Sequence, residues 1–176
     1  MRATAVSGDG VLVTGVYGTG KTSVVEEMAG IMEAAGLNYG AIDLDWLRWF
    51  DADIDEARYQ TIFLANVTSI TTAYLDAGVE RFALAGAIAD QAALAALREA
   101  LPFPVRVVRL TLPLEEIAAR LGSAVTAERA DDLRVAAEWL AKGIGRDIED
   151  IAVTNDKPVR ETALEVLGWL DWMPSP

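Results

Sequence analysis

Short runs of aliphatic residues alternate along this chain with longer stretches in which apolar side chains recur every three or four positions. The short runs read as strands near 10–14, 39–43, 81–86, 104–111 and 150–153, and the longer ones as the helices that cross between them. The first helical stretch carries Val24, Val25, Met28, Ile31, Met32 and Ala35 on one face before Gly36 stops it. A second, about 55–77, places Ile62, Ala65, Ser69, Ile70, Ala73 and Ala77 in a stripe, and Gly78 ends it. Asp90 to Ala100 reads as a short helix, after which Pro102 and Pro104 force an extended entry into the fourth strand. Pro113 opens a helix to about Leu121, Gly122 to Asp132 reads as a loop, and a helix follows over about 132–141. The last helix, 158–172, buries Ala163, Val166, Leu167 and Leu170. Strictly alternating strands and helices predict an α/β fold of three layers, with a five-stranded parallel sheet covered on both faces.

Composition narrows what this scaffold can do. The 176 residues are 52% apolar, enough for one domain spanning 1–176. Cysteine and histidine are both absent, which removes disulfides, thiolate nucleophiles, Cys/His metal sites and imidazole acid-base chemistry. Catalysis falls to carboxylates, Lys, Arg, hydroxyls or a bound metal. The net charge of −12 opposes nucleic acid and anionic lipid, so the expected partner is a small molecule. The early apolar run Val11-Leu12-Val13 is too short for a secretory or membrane-spanning segment, and the expected location is the cytoplasm.

Chemistry concentrates first between the first strand and its helix. Gly15-Val16-Tyr17-Gly18-Thr19-Gly20-Lys21-Thr22 has the spacing of a phosphate-binding loop. Glycines there let backbone N–H groups turn inward at a helix N-terminus and form an anion nest. Gly15, Tyr17, Gly18, Thr19, Gly20, Lys21, Thr22 and Ser23 are therefore expected around the phosphates of ATP or GTP. Lys21 would reach the β- and γ-phosphates, and Thr22 would bind Mg²⁺. A second concentration, Asp43-Leu44-Asp45-Trp46-Leu47-Arg48, follows the second strand and emerges at the same sheet edge. An Asp there can accept a hydroxyl proton or cap the next helical turn. The third strand, Phe82 to Ala87, ends without an acid, which argues against a motor ATPase or switch GTPase and leaves Asp43 or Asp45 on the metal side.

The glycine loop together with Asp43-x-Asp45-x-x-Arg48 resembles the P-loop kinases that include adenylylsulfate kinases, gluconate kinases and chloramphenicol phosphotransferases. That resemblance implies a P-loop NTPase fold of the nucleoside-kinase type with ATP and Mg²⁺ as cofactors, and transfer of the γ-phosphate to a hydroxyl of a small metabolite. It implies Asp43 as acceptor-side base, Arg48 as a substrate contact, and Asp45 ordering the loop or the Mg²⁺ waters. It also implies a short lid around 113–132, from which Arg120 approaches the phosphates, with Arg129 a second candidate. Asn155, in Thr154-Asn155-Asp156-Lys157-Pro158, would contact the nucleotide base, although Asn and Asp also suit a turn before a helix. Leu44 and Trp46 depart from the adenylylsulfate kinase pattern, making the acceptor side bulkier and pointing to another hydroxyl compound. The lid has few arginines, which keeps open a nucleotide-binding sensor or partner protein without efficient transfer, and a nucleoside or nucleotide kinase shares the same loop.

Some residues read as structural. Trp46 and Trp49 flank the acceptor side, as its wall or, more in keeping with aromatics near a helix start, as packed core. Trp139, Trp169 and Trp172 lie on late helices and suit packing or a subunit interface, leaving a homodimer open. Arg109 reads as an ion-pair residue at a strand end. Asn66 and Tyr74 are on the second helix, facing either acceptor or solvent.

Overall fold

A computed structural model describes residues 8–122 and 128–173, with the side chains of 128–130 outside that description. Five parallel strands, β1 (Asp9–Thr14), β2 (Tyr39–Asp43), β3 (Arg81–Ala85), β4 (Val105–Thr111) and β5 (Ile151–Thr154), form one sheet in the order β2-β3-β1-β4-β5. All five lie within a residue or two of the positions expected from aliphatic runs. The helices are α1 (Lys21–Ala34), α2 (Glu56–Asp76), α3 (Gln91–Ala100), α4 (Leu114–Gly122), α5 (Glu128–Lys142) and α6 (Val159–Trp169), with a 3₁₀ turn at Leu44–Arg48.

Period-two alternation in the strands divides the core. Val11, Val13, Ala83, Ala85, Val108 and Leu110 face α1 and α6, meeting Val24, Met28, Met32, Val166 and Leu167. Leu12, Phe82, Leu84, Val105 and Val107 face the other way, toward Phe63 and Val67 of α2 and Leu94 and Leu97 of α3. A third, smaller cluster joins the loop after β1 to α4 and α5: Val16, Leu112, Ile117, Leu121 and Ala136. Because β1 is flanked by β3 and β4, its carboxyl end opens where the chain order reverses, the usual ligand crevice of such sheets.

Several elements depart from the pattern-based reading. On α2 the buried row is Phe63, Val67 and Thr71, whereas Ala65, Ser69, Ala73 and Ala77 are exposed. Thr71 tolerates burial because its hydroxyl donates to the Val67 carbonyl at 2.7 Å, so a polar residue occupies a core position and masks the true stripe. Helix α5 begins at Glu128 rather than 132, and α6 ends at Trp169. Just after β3, a Cβ on Gly86 would meet Leu44 at 2.9 Å, so a glycine there seats the Leu44 side chain.

The tryptophans also divide. Trp172 is buried and its indole N–H donates to Asp9 at 2.9 Å, while Trp169 and Trp139 are half-buried against the α1/α6 and α4/α5 clusters. Trp46 and Trp49, read as either the wall of the acceptor side or packed core, are 66% and 75% exposed and so are not core. Arg109 pairs with Glu149, as its strand-end position suggested. Asn66 donates its amide to the Leu47 carbonyl at 2.9 Å and so ties α2 to the 3₁₀ turn. No helix among the described residues is long and apolar enough to cross a membrane.

Candidate active site

The loop between β1 and α1 has the backbone its glycines allow. Gly15, Gly18 and Gly20 take φ values of 135°, 82° and 91°. Two of them are also hemmed in: a Cβ on Gly15 would lie 2.6 Å from the Leu110 carbonyl oxygen, and one on Gly20 would lie 2.7 Å from the Asn155 amide nitrogen. Gly15→Ala therefore combines a forbidden torsion with a clash against backbone. The expected cost is about 3 kcal/mol or more, seen as a drop in the urea midpoint at unchanged m-value.

Inside the loop, Thr19 is fully buried and its hydroxyl donates to the Val16 carbonyl at 2.8 Å. Its side chain thus holds the loop's shape. Lys21 is almost wholly buried at the start of α1, its ammonium 3.3 Å from the same Val16 carbonyl and 5.1 Å over the Tyr17 ring. Burial pushes the Lys21 ammonium below the ordinary lysine value, outweighing the opposite pull of Asp45, Asp43 and Asp132. Burial likewise raises Tyr17, with Asp45 and Asp132 adding to the effect and Arg48 opposing it.

A cleft of about 660 Å³ opens above this loop, lined by Tyr17, Lys21, Thr22 and Ser23 on the loop side and by Asp45, Arg120, Asp132 and Asn155 on the facing elements. Asp43 stands at the end of β2 with both carboxylate oxygens engaged. One accepts from the Thr22 hydroxyl at 2.7 Å and the other from the Asp45 backbone N–H at 3.0 Å. The second bond makes Asp43 the cap of the 3₁₀ turn, so the capping and functional readings of this residue coexist. Asp45, one step further on, lines the open cleft. Its carboxyl is raised above the usual aspartate range, chiefly by burial and next by Asp43, against the lowering effect of Lys21 and Arg48. The resemblance implied Asp43 as the base and Asp45 as the ordering residue; in the fold Asp43 is held by Thr22 and the Asp45 N–H, while Asp45 lines the cleft.

Arg48 does not project freely toward an acceptor. Its guanidinium stacks 3.8 Å from the Phe63 ring centroid, on the core side of the turn. Arg120 of α4 reaches back over the glycine loop, donating to the Asn155 carbonyl at 2.7 Å and to the Thr19 carbonyl at 3.5 Å. Asn155, expected against the base, is buried and has its amide elsewhere. Its nitrogen donates to the Thr19 carbonyl at 2.8 Å, and its oxygen accepts from the Thr162 hydroxyl of α6 at 2.8 Å. It is a brace beneath the loop, which explains why Gly20 must lack a Cβ. Arg129 and the stretch 123–127 of the expected lid lie outside the described residues and side chains.

Asp132 and Lys157 line the cleft without having been expected there. Asp132 was hidden because its helix was read as starting after a loop. Lys157, ion-paired with Glu165, sat in view within the turn after β5. Among the described residues no three carboxylates converge to hold a metal by themselves. The donors present, the Thr22 hydroxyl and the Asp43 carboxylate, are hard oxygens of the kind that share Mg²⁺ with nucleotide phosphates.

The fold matches a sugar kinase from a Janibacter species at a TM-score of 0.66 and 21% identity, over 93% of this chain and 95% of that one. It matches a gluconokinase from Sinorhizobium meliloti at 0.60 and 23%, over 95% and 93%. It also matches the Mycobacterium tuberculosis APS kinase in complex with AMPPNP and APS at 0.58 and 23%, over 94% and 98%. The chain has the P-loop kinase fold. No protein-family model and no curated protein matches its sequence, so the likeness is one of fold. Within that fold, the loop after β1 and the turn after β2 face one another across the cleft.

Proposed function

We propose that this protein is an ATP-dependent kinase that transfers the γ-phosphate to a hydroxyl of a small molecule. The observation that carries the reading is the joining of the two sequence concentrations: the Thr22 hydroxyl of the phosphate loop bonds the Asp43 carboxylate of the acceptor turn at 2.7 Å, while Asp45 lines the cleft beside Lys21. Magnesium, when bound, neutralises phosphate charge, and Thr22 with Asp43 would hold it. The nucleotide phosphates lie in the nest of Gly15–Thr22, with Lys21 turning from the Val16 carbonyl to meet them. Asp45 accepts the acceptor's hydroxyl proton, a task its raised proton affinity favours at near-neutral pH. Arg120 adds positive charge at the lid side of the same cleft.

The APS kinase whose fold this chain shares has been crystallised with AMPPNP and APS, which supports ATP as the donor. The test is ADP release with ATP, Mg²⁺ and a panel of hydroxyl compounds. Acceptor-dependent release supports the reading, and tight ATP binding without turnover on any acceptor would turn it toward a nucleotide sensor. The exchange of aspartate roles has its own test. Asp43→Asn keeps an acceptor for Thr22 but removes a charge, and should raise the Mg²⁺ concentration for half-maximal rate about 10-fold or more, restoring much of the rate at saturating Mg²⁺.

A further inference from the structure

The 3₁₀ turn at Leu44–Arg48 repeats every three residues, so side chains three apart stand one above the other. Three rows result. Leu44 and Leu47 point into the core, Leu44 fully buried against Gly86 and Leu47 packed on the α2/α3 cluster. Asp45 and Arg48 form the second row, Asp45 lining the cleft and Arg48 turning its guanidinium back onto Phe63. Trp46 and Trp49 form the third, with ring centroids 4.8 Å apart and a tilt of 37°. Trp46 follows the cleft residue Asp45 in the chain, and both indoles face solvent. Two tryptophans paired at 66% and 75% exposure have no packing reason to be there.

Charge around the pair is one-sided. From Asp43 to Glu56 the chain carries six carboxylates, Asp43, Asp45, Asp51, Asp53, Asp55 and Glu56, against a single arginine. That arginine, Arg48, has its guanidinium on Phe63, and the next basic residue, Arg58, lies on the first turn of α2, where its backbone N–H is capped by Asp55. Asp51, Asp53, Asp55 and Glu56 are all exposed. An anionic acceptor would meet repulsion at this mouth, whereas a cation would be drawn toward it and held on the negative faces of the indoles.

Resting on the kinase reading, we propose that the acceptor is a hydroxyl-bearing amine, bound with its ammonium over the Trp46/Trp49 pair and its hydroxyl toward Asp45. The probes are three sugars of like size and different charge: glucosamine, N-acetylglucosamine and gluconate. Each is titrated against the protein with AMPPNP and Mg²⁺ present, using calorimetry, and then tested as an acceptor. Glucosamine should bind about tenfold tighter than the other two, and the preference should shrink with added salt. Trp46→Ala/Trp49→Ala should remove the preference while leaving AMPPNP affinity and melting temperature unchanged, and Trp46→Phe/Trp49→Phe should keep part of it. Equal or tighter binding of gluconate, no glucosamine binding, or an alanine pair that keeps the preference overturns the inference. Turnover of an anionic acceptor would leave the kinase reading standing and this one fallen. Amine binding without turnover of any acceptor would overturn the kinase reading and, with it, the amine's role as acceptor.

Discussion

Lys21→Met is expected to make the nucleotide-free protein more stable and the enzyme nearly inert. Lys21 is buried, and its proton affinity in the fold is depressed because burial outweighs Asp45, Asp43 and Asp132. A depressed value means that the unfolded chain binds more protons over the interval between the two pKa values, so stability rises as pH climbs through it. Below that interval the residue costs stability in full. Methionine fills a similar volume without charge, and each kcal/mol relieved should appear as about 2–4 °C in melting temperature for a chain of this length. The gain should shrink in alkaline buffer. The same variant loses the group that meets the phosphates, and a loss of about 10²–10³-fold in kcat is expected, together with disappearance of the ATP-induced rise in melting temperature. Thermal scans with and without ATP at two pH values decide it. A variant that is less stable yet binds ATP normally would show that Lys21 is a packing residue.

Asp45→Asn should have the second large effect. Removal of a general base lowers rate by about 10²–10⁴-fold, and the KM for ATP should change little because Asp45 belongs to the acceptor row. With a proton affinity raised by burial and by Asp43, Asp45 should set the acidic limb of the pH–rate profile above the usual aspartate range, and the variant's residual rate should lack that limb. Its stability sign is opposite to that of Lys21 in pH and alike in consequence. A raised carboxyl contributes stability that is fully present below its unfolded pKa and is lost as pH rises through its folded pKa. At neutral pH the ionised group therefore weakens the fold, and asparagine should raise the melting temperature. If Asp43→Asn instead removes the acidic limb and Asp45→Asn leaves it, the assignment of the two carboxylates reverses.

The sheet was legible from the chain because buried parallel strands are rich in aliphatic residues, as in Val11-Leu12-Val13 and Val107-Val108, and little else looks like them. Helix boundaries at Gly36 and Gly78 were legible for the related reason that positive φ selects glycine. The α2 stripe was not, because Thr71 resolves its own polarity by bonding back to Val67, a local arrangement that hydrophobic periodicity does not register. The turn from Gly15 to Thr22 could be read because its glycine spacing matches the positions that take positive φ between β1 and α1. The acceptor side needed coordinates: whether Asp43 or Asp45 faces the cleft depends on one carboxylate being captured by Thr22 and by its neighbour's N–H. Asn155 shows the same limit. Nothing in Thr154 to Pro158 says that its amide turns inward to Thr19 and Thr162.

The three rows of the Leu44–Arg48 turn separate tasks that many sites entangle. Replacing Trp46 and Trp49 disturbs neither the seat of Leu44 nor the reach of Asp45, so acceptor preference can drift by exchange of two surface side chains while fold and phosphoryl chemistry remain intact. Selection for a new acceptor would then act on two codons with almost no penalty in foldedness.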